Sequence, residues 1–272
     1  MNLTQAMLLE WRAVAESAAV EAGALIRRKL AEPRELTFKG FRDPVTDADV
    51  AAQQQITAMI QQRFPDHGFL AEEANSALPT NGPVRWIIDP VDGTGNYSRA
   101  LPIFCVSIAV VVEDELVIGV IYDPMRGELF SATRGRGCTL NGHPIRVSAT
   151  ATLDDALVSL DWGRQYEVRQ AMFVALEQFV HRVRSVRAMG SSALALAWVA
   201  IGRIDIYVNF HLSPWDFAAG LLLIQEAGGS TSDLAGQPIP LTSHSSTIVA
   251  NQQLHPAFLA LLGQAADGET GS

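Results

Sequence analysis

The chain has 272 residues, 18% charged and 48% hydrophobic, a composition that buries a large core and excludes disorder. Its 20 basic and 29 acidic residues give a formal charge of −9, which excludes a generic nucleic-acid or anionic-membrane surface. A phosphate substrate stays open, because a bound cation reverses the local field.

The N-terminus lacks a signal-peptide core, since Glu10, Arg12 and Glu16 interrupt it early. No run reaches the ~18 apolar residues of a membrane span, so a cytoplasmic location without membrane contact is expected. From Leu8 to Ile26 apolar residues recur at helical spacing and predict an amphipathic helix. A second helix is predicted from Thr46, where Thr46 and Asp49 have capping-box spacing, to about Phe64. Strands are predicted at Trp86–Ile88, Val106–Val112 and Leu116–Tyr122, the last two joined by the turn Glu113-Asp114-Glu115. Gly135-Arg136-Gly137 and Asn141-Gly142 read as hairpin turns. Cys105 and Cys138, without CxxC or Cys/His spacing, read as buried free thiols.

After about residue 150 the texture changes to alternating units. Leu157–Leu160 predicts a strand, Tyr166–Val180 a helix, Ser191–Ile201 a helix, Ile204–Val208 a strand, and Pro214–Ala227 a helix closed by Gly228-Gly229. A layered α+β architecture follows. The expected organisation is one unit over 1–265, with an α+β half to about 150, an α/β half over 151–265, and a mobile tail over 266–272.

The chemistry concentrates in Trp86-Ile87-Ile88-Asp89-Pro90-Val91-Asp92-Gly93-Thr94-Gly95-Asn96, an apolar run that meets two aspartates and a Gly-Thr-Gly turn. Carboxylates are hard ligands suited to Mg²⁺, and bare glycine N–H groups suit a phosphoryl group. Asp-Pro and Asp-Gly are also ordinary turn dipeptides, Glu72-Glu73 after Phe69-Leu70-Ala71 could be solvated acids, and Asp216 after Ser213-Pro214-Trp215 fits a helix start. Gly93-Thr94-Gly95 lacks the third glycine of a dinucleotide fingerprint, and Gly190-Ser191-Ser192 lacks the G-x-S-x-G elbow. His181 and His211 are isolated and read as surface or core histidines.

Taken in order, Asp43-Pro44-Val45-Thr46-Asp47-Ala48-Asp49, Ala71-Glu72-Glu73, Trp86 to Thr94, Trp215-Asp216-Phe217-Ala218-Ala219-Gly220 and Glu226-Ala227-Gly228-Gly229 resemble the inositol monophosphatase family over nearly the whole chain. The resemblance implies a layered αβαβα sandwich of the inositol monophosphatase and fructose-1,6-bisphosphatase type, a homodimer, and a lithium-sensitive Mg²⁺-dependent phosphatase acting on a small phosphorylated metabolite, first of all an inositol-1-monophosphatase that works by direct attack of a metal-activated water. By that resemblance Glu72, Asp89 and the Val91 carbonyl hold a first Mg²⁺, Asp89, Asp92 and Asp216 a second, and a weaker third lies near Glu72. Thr94, backed by Asp49, orients the attacking water, so Thr94, Asp49 and Glu72 form the catalytic group. Asp92, Gly93, Thr94, Gly190, Ser191, Asn209 and Asp216 border the substrate.

The chain departs from the family pattern at three points. Gly95 replaces a threonine, Asn209 stands where animal enzymes carry a substrate-contacting glutamate, and Arg164 stands where they have a small polar residue. Lys39 lies one residue short of the spacing of a family lysine and is not matched to it. These departures keep a 3′(2′),5′-bisphosphate nucleotidase, a fructose-1,6-bisphosphatase and a histidinol-phosphatase open. A partner of the transcription machinery is the alternative of another class.

Overall fold

The structure is a computed structural model that describes residues 3–32, 36–41, 43–73 and 78–263, so the expectation of a mobile tail lies outside the described residues. The chain opens with helix α1 (Gln5–Lys29), strands β1 (Leu36–Gly40) and β2 (Asp43–Thr46), helix α2 (Asp47–Arg63), and strands β3 (Gly68–Ala71) and β4 (Val84–Asp92). A short helix α3 (Thr94–Ser98) leads to β5 (Cys105–Val112), β6 (Glu115–Asp123), β7 (Glu128–Thr133), β8 (Cys138–Leu140) and β9 (His143–Pro144). The remainder is β10 (Leu157–Leu160), α4 (Tyr166–Phe179), β11 (Ser185–Ala188), α5 (Ser192–Ala200), β12 (Ile206–Leu212), α6 (Pro214–Glu226), β13 (Gly229–Ser232), β14 (Ser245–Asn251) and α7 (Leu254–Gly263).

Strands β3 to β9 form one sheet in sequence order, parallel between β3 and β4 and antiparallel thereafter. A second sheet has the order β11-β10-β12-β14-β13, with β10 parallel to both neighbours. Helices α1 and α2 cover the outer face of the first sheet through Trp11, Ala18, Ile26, Ile56 and Ile60. Helices α5 and α6 fill the space between the sheets, and α4 and α7 cover the far face of the second. The expected αβαβα layering is the observed one.

Sequence explains the layers. Every residue of β5 is buried, which is why it reads as an unbroken apolar run rather than an alternating one. The alanines of α1 bring its backbone close to the sheet, and a side chain at Gly23 would meet the Tyr122 ring at 2.4 Å. Glu113 and Asp114 have φ of 51° and 62°, as do Asn141 and Gly142 at 48° and 80°, giving the tight hairpins expected there. The loop Gly135-Arg136-Gly137 donates three N–H groups to the Glu226 carboxylate at 2.7 to 3.1 Å, tying the end of α6 to the first sheet. Both cysteines are buried and free.

Candidate active site

Strand β4 does not end at Ile88 but continues through both aspartates, buried throughout from Trp86. Its pairing with β5 slips between Asp89 and Asp92, a bulge at Pro90, which has no N–H to give to the ladder. Val91 N–H turns back to Asp89 Oδ1 at 3.0 Å. Asp216 arrives from the opposite side of the cleft as the third residue of α6, whose capping box has Ser213 N–H on Asp216 Oδ2 at 2.8 Å. Carboxylate oxygens of Asp89, Asp92 and Asp216 lie within 4.8 Å of one another.

Such proximity is unfavourable without a counter-charge. Burial, then the charges of Glu72, Asp92 and Asp216, holds the Asp89 carboxyl well above the usual carboxylate range. Burial, then Asp92 and Glu72, does the same to Asp216. Asp92 is pushed up to about 6 by burial against hydrogen bonds from Ser191 and Ala193. Three crowded all-oxygen donors are the set a hard divalent cation takes, so the residues present fit Mg²⁺.

Asp92 is the most firmly held of the three. Its carboxylate accepts the Ser191 hydroxyl, Ser192 N–H at 3.2 Å and Ala193 N–H at 2.9 Å, and so sits at the amino end of α5. Ser191 is 1% exposed and bonded to Asp92, and its neighbour Ser192 lines the cleft. Thr94 Oγ1 lies 2.8 Å from Asp49 Oδ1 and 2.9 Å from the Val91 carbonyl. Asp49 in turn closes the capping box of α2, its Oδ2 accepting Thr46 N–H at 2.9 Å and Thr46 O–H at 2.5 Å. Gly93 has φ of 96° and a side chain there would meet the Ile103 carbonyl at 2.9 Å, so the turn requires glycine. Gly95 has open space around it, and the departure from threonine leaves the backbone unaltered.

Glu72 lines the cleft beside the trio. Its loop is clamped by Gln53, whose amide bonds Glu73 N–H at 2.9 Å and the Glu73 carbonyl at 2.7 Å. Lys39, unmatched in the sequence, reaches Glu72 at 3.1 Å and Glu73 at 2.7 Å. The reason is a register shift. Phe38 pairs with Pro44 and Gly40 with Asp43, which leaves Lys39 as the extra residue of a bulge.

The cleft measures about 680 Å³ and is walled by Phe41, Trp162, Arg164, Arg169, His211 and His244. Arg164 belongs to the cleft, 3.8 Å from Glu72, and His211 stacks on His244 with ring centroids 4.5 Å apart. Asn209 lines the cleft but its amide already serves the fold: Oδ1 accepts His211 N–H at 2.9 Å and Nδ2 donates to Tyr207 Oη at 3.2 Å. Gly190, with φ of 73°, gives its N–H to Asp161 at 2.7 Å. Of the other expected residues, Asp49, Glu72, Asp89, Val91, Asp92, Gly93, Thr94 and Asp216 are brought together. Among the described residues no helix is long and apolar enough to cross a membrane.

The profile described as "Inositol monophosphatase family" matches residues 7–266. "Nus factor SuhB" of Escherichia coli (strain K12) is 41% identical over 228 residues, covering 82% of this chain and 85% of its own. "Inositol monophosphatase 2" of Solanum lycopersicum is 38% identical over 258 residues, covering 92% and 97%. The solved structure of the extragenic suppressor protein suhB from Bartonella henselae superposes with a TM-score of 0.87 at 33% identity, over 92% of this chain and 97% of that one. The match spans the layered fold from α1 to α7, and the chain belongs to the inositol monophosphatase family of phosphoric monoester hydrolases.

Proposed function

We propose that this chain is an Mg²⁺-dependent phosphatase of a small phosphorylated polyol, with inositol 1-phosphate as first candidate. The observation that carries the reading is the trio Asp89, Asp92 and Asp216 lining one cleft with Thr94. Glu72, Asp89 and the Val91 carbonyl would hold one ion, Asp89, Asp92 and Asp216 a second, with room for a weaker third by Glu72. When bound, Mg²⁺ lowers the pKa of a water and neutralises phosphate oxygens. Thr94 O–H donates a hydrogen bond to the Asp49 carboxylate, the charged acceptor, which leaves a hydroxyl lone pair to accept a hydrogen bond from the attacking water and aim its oxygen at phosphorus. Gly93 and Thr94 present backbone N–H groups to the phosphate. The water oxygen forms a new P–O bond as the ester P–O bond breaks, the proton lost by the water ends on the leaving oxygen, and the alcohol and inorganic phosphate leave. The single unit over residues 1–265, the homodimer, lithium sensitivity and a cytoplasmic location belong to the same reading and rest on the family resemblance.

Phosphate release from inositol 1-phosphate, with Mg²⁺ and then with chelator, tests this. Asp89→Asn is expected to lower kcat by several orders of magnitude with the fold intact; near-normal turnover at saturating Mg²⁺ would refute the assignment. A parallel panel of fructose 1,6-bisphosphate, histidinol phosphate and adenosine 3′,5′-bisphosphate decides among the rivals. The name of the Escherichia coli relative supports a second reading, a partner of the transcription machinery. Co-purification with the Asp89→Asn variant separates that role from catalysis.

A further inference from the structure

Beyond the trio and Glu72, one more carboxylate borders the cleft. Asp161 follows β10 directly, and β10 runs parallel to β12 with Ser159 opposite Tyr207. Its Oδ1 accepts Gly190 N–H at 2.7 Å and its Oδ2 accepts Tyr207 O–H at 3.1 Å. A carboxylate has about four acceptor positions, so acceptor capacity is left on a residue that lines the cleft.

The donors are ordered toward that carboxylate. Tyr207 Oη has Asn209 Nδ2 at 3.2 Å and Ser192 Oγ at 2.9 Å as further partners. Asn209 Nδ2 can only donate, and the phenol proton goes to the charged acceptor, so Ser192 donates to Tyr207 in turn. The chain of bonds therefore keeps Asp161 an acceptor at the wall of the cleft. Asn209, by contrast, spends its carbonyl on His211 N–H.

We propose that Asp161, oriented by Tyr207, is a specificity-determining residue that receives a hydroxyl of the leaving alcohol. The inference rests on the phosphatase reading and assigns to one residue of that site the selection among its esters. An acceptor-only group selects donors such as alcohols and repels a second phosphate, while an aryl ester without hydroxyls cannot use it.

The test compares kcat and KM of the wild type, Asp161→Asn and Tyr207→Phe at pH 8 and saturating Mg²⁺. Substrates are inositol 1-phosphate, glycerol 2-phosphate and p-nitrophenyl phosphate. Asp161→Asn is expected to lower kcat/KM for the better polyol ester, relative to p-nitrophenyl phosphate, by about tenfold or more, chiefly through KM. Tyr207→Phe should move the same ratio less far, and carries the test if Asp161→Asn does not fold. An equal loss on all three esters would mean that Asp161 only fixes the Gly190 turn, and an unmoved ratio that it does not meet the substrate; either overturns the proposal. Wild-type protein inert toward every ester would instead overturn the phosphatase reading on which it stands.

Discussion

At the scale of residues, Thr94 and Asp161 are both polar groups at the cleft whose partners define distinct tasks. Thr94 has Asp49 at 2.8 Å, and Asp49 is itself held by Thr46, so the hydroxyl is aimed before any ligand arrives. Thr94→Ala should lower kcat by about 10²–10⁴, the range for a lost proton-handling group, with the Mg²⁺ half-saturation little changed. Thr94→Ser should restore most of it, and a serine variant as slow as the alanine one would deny the hydroxyl this task. Asp161 differs in charge. Burial pushes its carboxyl up to about 7 from 3.8, against the hydrogen bonds of Gly190 and Tyr207. The folded state thus binds this proton more tightly than the unfolded one, so its contribution to stability is present below about pH 4 and is lost as pH rises through about 7. Asp161→Asn has no such loss. The difference in Tm, variant minus wild type, should therefore grow between pH 4 and pH 7 and then level off; a difference flat with pH would place the Asp161 carboxyl near its ordinary value.

At the scale of elements, the cleft is built from ends and irregularities. Asp49 and Asp216 come from the first turns of α2 and α6, Asp92 is held at the amino end of α5, and Asp89 and Lys39 lie at bulges. Close packing keeps these ends in place. A side chain at Gly119 of β6 would lie 2.6 Å from the Ala219 carbonyl of α6. Gly119→Ala should cost about 1–3 kcal/mol in chemical denaturation by overpacking, and should weaken Mg²⁺ activation because α6 carries Asp216. Wild-type stability and Mg²⁺ dependence in that variant would show that the layers slide freely. The same distinction explains what the sequence disclosed. Thr46 to Asp49 and Ser213 to Asp216 mark helix starts with local chemistry, so two carboxylates could be placed from spacing alone. Lys39 escaped because one residue of bulge shifts the spacing to Asp43, a fact of strand pairing rather than of composition. Asp161 and Tyr207 meet across 46 residues because β10 and β12 are parallel neighbours, and no pattern local to either announces it. Asn209, marked by its family position, takes its partners Tyr207 and His211 from two residues to either side in β12. His211 read as isolated because its stacking partner His244 is distant in the chain.

At the scale of the whole molecule, the acids that make the cleft useful also work against the fold. Asp89 and Asp92 belong to the first sheet and Asp216 to the helix layer between the sheets, so their repulsion acts across the packing of those layers. A cation bound there neutralises the repulsion and binds only the folded chain, which raises stability by mass action. At one hundred times its dissociation constant that amounts to about 2.7 kcal/mol, or an upward shift in Tm of about 5–10 °C for a domain of this size. Asp216→Asn removes one of the three charges and keeps an oxygen to cap α6 at Ser213 N–H. The variant should melt higher than the wild type in chelator, because less repulsion opposes the fold. It should also respond less to Mg²⁺, because the donor set is broken. Thermal melts at pH 7.5 with chelator and with graded Mg²⁺ separate these two effects. A variant that melts lower without metal, yet gains as much as the wild type from Mg²⁺, would show that the trio neither strains the fold nor holds the ion.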